Sequence, residues 1–179
     1  MAEQQSSPSS PPTGYQLART IGLRYGLILG LLLGGLSIGL YMVDLFSNEV
    51  EIWFTIPLMM LAMVLSMLRL RQQQGEMTLG QGFRTGLTTA VMAALINGVM
   101  TSLYTGWVDP GATERALDRT RERMLAAGDS PERVNLYTQF MEQLEPPQVA
   151  IPATIIVVAF FGSLLALLLA WGLRKSPTR

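Results

Sequence analysis

Any chemistry in this chain must be done without cysteine or histidine, neither of which occurs among its 179 residues. Their absence removes thiol nucleophiles, disulfides, cysteine lipidation, haem and zinc sites of the usual kind, and the commonest general base. Three stretches remain to be weighed. Gly35, Leu36, Ser37, Ile38 and Gly39 spell the nucleophile-elbow pattern of serine hydrolases. That chemistry needs a strand-to-helix turn and a base, whereas this serine falls inside an apolar helical run and the only lysine, Lys175, is a poor substitute. Gly80, Gly82 and Gly86 beside Arg84 resemble a phosphate loop, but with no preceding strand and no loop lysine they read as the close-packed start of a helix. Asn97, flanked by Thr89 and Thr101 in a polar row, is the third; in hydrocarbon it serves as interhelical glue or lines a pathway. Glue is the reading preferred, because no ionisable side chain is expected in the interior of any span. No catalytic residue, cofactor or metal ligand is expected.

The elements that must position these residues are membrane helices. Four long apolar blocks, about 23–43, 52–68, 86–108 and 149–173, are separated by charged connections. Roughly 20 apolar residues at 1.5 Å each cross a hydrocarbon core of about 30 Å. In the first block glycine recurs at Gly22, Gly26, Gly30 and Gly34; the third carries Gly86, Ala90, Ala94 and Gly98; the fourth carries Gly162 and Ala166. Small residues at this interval let membrane helices approach backbone to backbone. Such a face either packs within the chain or dimerises, and matching rows on three spans favour packing within the bundle, with a homo-oligomer left open. The second block tolerates Pro57 because a proline near a helix start removes few hydrogen bonds.

Between the third and fourth spans, residues 109–147 have the composition of an aqueous helical hairpin. Asp109 is expected to cap its first helix with Pro110 at the first helical position; Gly128 ends that helix, Ser130 caps the second, and Pro146 and Pro147 end it. The arginines of the first helix read as a solvated face. On the second, Tyr137, Phe140, Met141 and Leu144 form an apolar stripe, a candidate partner surface larger than the first helix obviously covers. Residues 1–14 read as a disordered tail and 175–179 as a basic one, leaving 15–174 as a single membrane domain.

The charge of 13 basic against 13 acidic residues excludes nucleic acid as a natural partner. Its placement is more telling. Arg19, Arg24, Arg69, Arg71, Arg84, Arg174, Lys175 and Arg179 fall on one side of the bilayer, while the turn holding Asp44, Glu49 and Glu51 on the other has no basic residue. Both termini are therefore expected in the cytoplasm and the hairpin outside.

The whole pattern resembles a family of four-span bacterial membrane proteins, domain of unknown function 4199. The resemblance runs from about Gly22 to Arg174 and rests on the first span GLRYGLILG, the connection GEMTLGQGFRTG, the hairpin turn LAAGDSPERV and the basic end of the last span. It implies a bacterial inner-membrane location and the four-helix layout, and brings no activity with it. The sequence thus reads as an all-α, four-span, up-and-down membrane protein with an extracytoplasmic hairpin. Its expected role is that of a non-catalytic accessory protein contacting the bilayer and another membrane or periplasmic protein. A small transporter or channel is the alternative, and an intramembrane enzyme the least supported.

Overall fold

The computed structural model describes residues 14–46, 48–144 and 146–173. The tail 1–13 and the basic end 174–179 lie outside them. The described residues form six α-helices: α1 (Gly14–Met42), α2 (Asn48–Gln74), α3 (Leu79–Leu103), α4 (Ala112–Ala126), α5 (Pro131–Leu144) and α6 (Pro147–Leu173). A π-helical turn, Tyr104–Val108, extends α3. Four stretches, Gly14–Met42, Val50–Gln74, Leu79–Val108 and Gln148–Leu173, are long and apolar enough to cross a bilayer. The short helices α4 and α5 stand between the third and fourth of them, as the sequence led one to expect.

The bundle is greasier outside than in. Ile28, Leu32, Leu61, Ile156, Phe160 and Leu168 are all more than half exposed. Most fully buried positions are instead small, polar or flexible, as at Ala18, Ala166, Ala170, Ser66, Thr85, Thr89, Met63 and Met67, with Leu70 a large branched exception. Helices in lipid gain nothing by hiding leucine from leucine-like tails, so they associate where small residues allow close packing and hydroxyls can pair.

Helix α3 is the hub. Along one side, the glycine ladder of α1 is pressed onto its backbone. A Cβ added at Gly22, Gly26 or Gly30 would lie 2.8, 2.7 or 2.9 Å from the carbonyl oxygens of Thr85, Thr89 and Ala93 respectively. The side chains of Thr88, Met92, Ile96 and Met100 take up the space the four missing methyls leave. This approach also brings glycine Cα hydrogens against backbone carbonyls, the arrangement of weak Cα–H···O contacts.

On its other side α3 meets α6 through a second set of small residues in antiparallel register. Gly82 faces Ala170, Gly86 faces Ala166, and Gly162 faces Ala90. Gly98 is looser, with Ile151 at 3.7 Å, and Ala94 is buried on the same helix. Helix α2 fills the remaining groove with methionine, its Met63, Met67 and Leu70 joining Ala18, Ala90, Ala166 and Ala170 in the core. Unbranched thioethers suit such an irregular gap. A hydroxyl relay ties α2 to α3: Thr89 Oγ1 is 2.9 Å from the Thr85 carbonyl and 3.3 Å from Ser66 Oγ, whose own proton goes to the Met63 carbonyl at 2.8 Å.

Helix ends are set locally. Thr78 and Gln81 form a reciprocal capping box at the start of α3, the T-x-x-Q signature of the connection TLGQ. Gly128, at φ 89°, ends α4 with its N–H on the Leu125 carbonyl and that of Asp129 on the Met124 carbonyl. Ser130 Oγ accepts from Arg133 N–H at the start of α5. The expected cap at Asp109 is not made: α4 begins at Ala112 behind Gly111, and Asp109 is drawn instead to Arg115.

The ladder generates a direct prediction. Gly26→Ala and Gly30→Ala place a methyl against backbone that cannot yield, and each should destabilise the bundle by about 1–3 kcal/mol. Gly35→Ala, on the same helix with nothing within 4 Å, should be neutral or slightly stabilising. Equilibrium unfolding in mixed micelles, followed by circular dichroism, separates the two classes.

Candidate functional site

Two features stand at the hairpin end of the bundle. The first begins where α1 stops. Asp44 adopts φ 56°, a left-handed conformation that aspartate tolerates better than most residues. Around it the N–H of Leu45 bonds the Leu40 carbonyl at 2.9 Å and that of Asp44 the Tyr41 carbonyl at 3.0 Å, a Schellman ending built on aspartate instead of glycine. The turn carries Phe46 back onto Tyr41, the rings stacked with centroids 3.9 Å apart. Tyr104, the first residue of the π-helical turn, lies 6.1 Å from Tyr41, and Ala112 and Ala116 of α4 close the cluster.

Asp44 is also the point to which the hairpin is tied. Arg119 Nη2 lies 2.6 Å from its carboxylate and Arg115 Nε 3.5 Å from the same oxygen. Arg119 further donates to the Asp44 backbone carbonyl. Arg115 Nη2 reaches Asp109 at 2.5 Å, and this bond, with Asp44 adding to it, holds the guanidinium proton more firmly than usual. The arginines read from sequence as a solvated face are thus partly a latch: two of them pair with Asp44 in the turn after the first span.

Latched in this way, the hairpin roofs an apolar cavity of about 240 Å³. Phe46, Ala116 and Leu117 form one side; Tyr137, Met141 and Leu144 of α5 form another; Ala150 and Ala153 of α6 form the base. Three of the four residues of the α5 stripe therefore face this space. Phe140 does not: it is 57% exposed, with Leu136 one turn earlier at 70%. Trp53 and Trp107 are also largely exposed at this end, at 79% and 85%.

The second feature lies between α1, α2 and α3. Ser37 is buried, and its hydroxyl points at Asn97 Oδ1, 3.5 Å away. The carboxylate of Glu51, from the first turn of α2, lies beside both Asn97 and Ser37. The sequence grouped Glu51 with the acidic turn; the structure puts it in the first turn of α2, at the edge of the second span, with its carboxylate beside the polar row of α3. Ser37 lies about one turn beyond Gly34, which packs on Met100, and its hydroxyl reaches back to Asn97. One turn beyond Asn97, the Thr101 hydroxyl is buried without a hydrogen-bond partner. Thr89, the third polar residue of the row, belongs elsewhere, in the relay with Ser66. Among the described residues, no three His, Cys, Asp or Glu side chains are grouped to hold a metal ion.

Nothing in the sequence paired Arg115 or Glu51 with its partner. The signal available was only an acidic turn with no basic residue on the same side of the bundle as a hairpin whose first helix carries four arginines.

The latch predicts that Asp44→Gly, which keeps the left-handed backbone and deletes the carboxylate, should leave the four spans intact while loosening α4. Hydrogen exchange should report amides of Ala112–Ala126 exchanging at least tenfold faster than in the unmodified chain, with a milder form of the same effect at high salt. Unchanged exchange in α4 would show that packing on Phe46 alone secures the hairpin.

No curated protein and no solved structure matches the chain. The family described as "Protein of unknown function (DUF4199)" matches residues 24–175, most of the chain, taking in the second, third and fourth spans whole and the first from Arg24 onward. A membrane bundle built on α3, with a latched hairpin on one end, is thus the form taken here by a member of the DUF4199 family, to which this chain belongs.

Proposed function

We propose that this chain is a non-catalytic accessory protein of a bacterial inner membrane, which receives an apolar side chain or two of another membrane or periplasmic protein beneath its hairpin. The observation that carries the reading is the cavity of about 240 Å³ between α4, α5 and the start of α6, walled mostly by apolar groups and unfilled among the described residues. Small-molecule sites run from about 300 to 1,000 Å³. A smaller pocket suits one or two anchoring side chains, the usual centre of a protein interface. Beside it Leu136 and Phe140 are exposed, and aromatic and methionine side chains such as Tyr137, Phe140 and Met141 are the types enriched where proteins meet.

In this reading both termini are cytoplasmic and the hairpin is periplasmic. The support is the clustering of Arg19, Arg24, Arg69, Arg71 and Arg84 at the ends of α1, α2 and α3 away from the hairpin. A non-catalytic role is supported by the lack of any histidine or cysteine, and by Ser37 lying within the long helix α1, not on the strand-to-helix turn a hydrolase nucleophile needs.

One observation favours a second reading, a small transporter: the carboxylate of Glu51 against the polar row of α3. It predicts solute flux into vesicles of the pure protein that is lost on Asn97→Leu.

Photo-crosslinking in intact cells from a reactive residue at Phe140 tests the first reading. A discrete adduct with one protein, diminished when Met141→Trp fills the cavity, is the expected result; adducts confined to lipid or to the chain itself would count against a docking surface. Orientation is tested separately, because the chain has no cysteine. Ser130→Cys should be labelled from outside by a membrane-impermeant thiol reagent, and labelling only after lysis would reverse the topology.

A further inference from the structure

The carboxylate of Glu51 is set among neutral partners. Ser37 faces it from α1 and Asn97 from α3. Neither helix offers a charge near this level: the only ionisable basic groups of α1 and α3 are Arg19, Arg24 and Arg84, all toward the opposite ends. Helix α6, over Pro147–Leu173, has no charged residue at all. The nearest acidic residues along the chain are Glu49 on the same helix and Asp44 in the preceding turn, and Asp44 is already matched by Arg115 and Arg119. A carboxylate at a membrane helix interface without a cationic side chain is costly, and such residues generally mark ion or proton sites.

The surrounding atoms fit such a role. Besides the carboxylate, the position offers the carboxamide oxygen of Asn97 and the hydroxyl of Ser37. Thr101, on the same face of α3 one turn on, adds a buried hydroxyl with no partner of its own. All are hard oxygen donors, which suit hard cations, and a single negative charge balances one positive charge, not two. Glu51 and Asn97 are each partly exposed.

We propose that Glu51, Asn97 and Ser37 form a binding site for a small monovalent cation, filled by either a sodium ion or a proton. Occupancy neutralises the carboxylate and so tightens the contact between α1, α2 and α3. The site is separate from the cavity beneath the hairpin, and stands or falls independently of partner docking.

The test uses the full chain in lipid nanodiscs, with thermal unfolding as readout. Sodium chloride is titrated against choline chloride at constant ionic strength and pH 8, and in a second arm pH is varied from 8 to 5 in choline chloride alone. If sodium is the occupant, the unmodified chain gains about 3–5 °C in Tm with sodium, and Glu51→Gln, which is already neutral, gains nothing. If the proton is the occupant, sodium has no effect, but the unmodified chain is stabilised on acidification relative to Glu51→Gln by a similar amount. Glu114→Gln, an exposed carboxylate on α4, should behave as the unmodified chain in both arms. Ser37→Ala removes one donor and keeps the carboxylate; its midpoint for sodium or for proton should move at least threefold, which preserves the test should Glu51→Gln not fold. Identical responses of the unmodified chain, Glu51→Gln and Ser37→Ala in both arms would overturn the proposal.

Discussion

The structure depends on the contact between the glycine ladder of α1 and the backbone of α3. In a bilayer no hydrophobic force drives one apolar helix onto another, so affinity has to come from packing and polar contacts. Four glycines at four-residue spacing allow it, because only without their side chains can the carbonyls of Thr85, Thr89 and Ala93 come so near. Helix α3 then has a second small face free for α6, where Gly82, Gly86 and Ala90 meet Ala170, Ala166 and Gly162. One central helix thus holds two neighbours by the same device in opposite directions. The methionines of α2 complete a core that has few large branched side chains.

The register of that contact reaches beyond packing. It brings Ser37 within reach of Asn97, and the short turn after α1 then brings the first residues of α2, and with them Glu51, beside that pair. The same turn orients Asp44 outward to the arginines of α4 and folds Phe46 onto Tyr41. The polar cluster within the bundle and the latch above it are therefore consequences of how α1 ends. The π-helical turn at Tyr104–Val108 matters for the same reason: it sets Tyr104 against Tyr41 and delivers Asp109 to Arg115.

What could be read from the sequence was what repeats or punctuates locally. Four apolar runs of bilayer length, small residues every fourth position, and Pro and Gly at the hairpin turns gave the architecture, because each acts on its own neighbours along the chain. The capping box of Thr78 and Gln81 was legible in the same way. The pairings that make the candidate sites were not. Arg119 meets Asp44 across 75 residues, and Ser37 meets Asn97 across 60; no local pattern records such a distance. Glu51 was grouped by position with the acidic turn, two residues before Trp53, and nothing local records that its carboxylate lies beside Asn97 and Ser37. Phe140 was grouped with Tyr137 and Met141 by helical spacing alone, and the packing of α5 separates it from them.

The central claim is that the ladder of α1 is closed against α3 of the same chain. Photo-methionine, nearly isosteric with methionine, tests it with little disturbance, because Met92 and Met100 face Gly26 and Gly34. Isotopically labelled and unlabelled chains would be expressed together, irradiated in the membrane, and their cross-linked peptides sequenced by mass. The account predicts links from Met92 and Met100 to α1 within single chains, at the mass of a monomer and with no labelled–unlabelled pairs. Mixed pairs joining these methionines to the glycine ladder of another chain would contradict it, and would make the ladder a dimer interface instead.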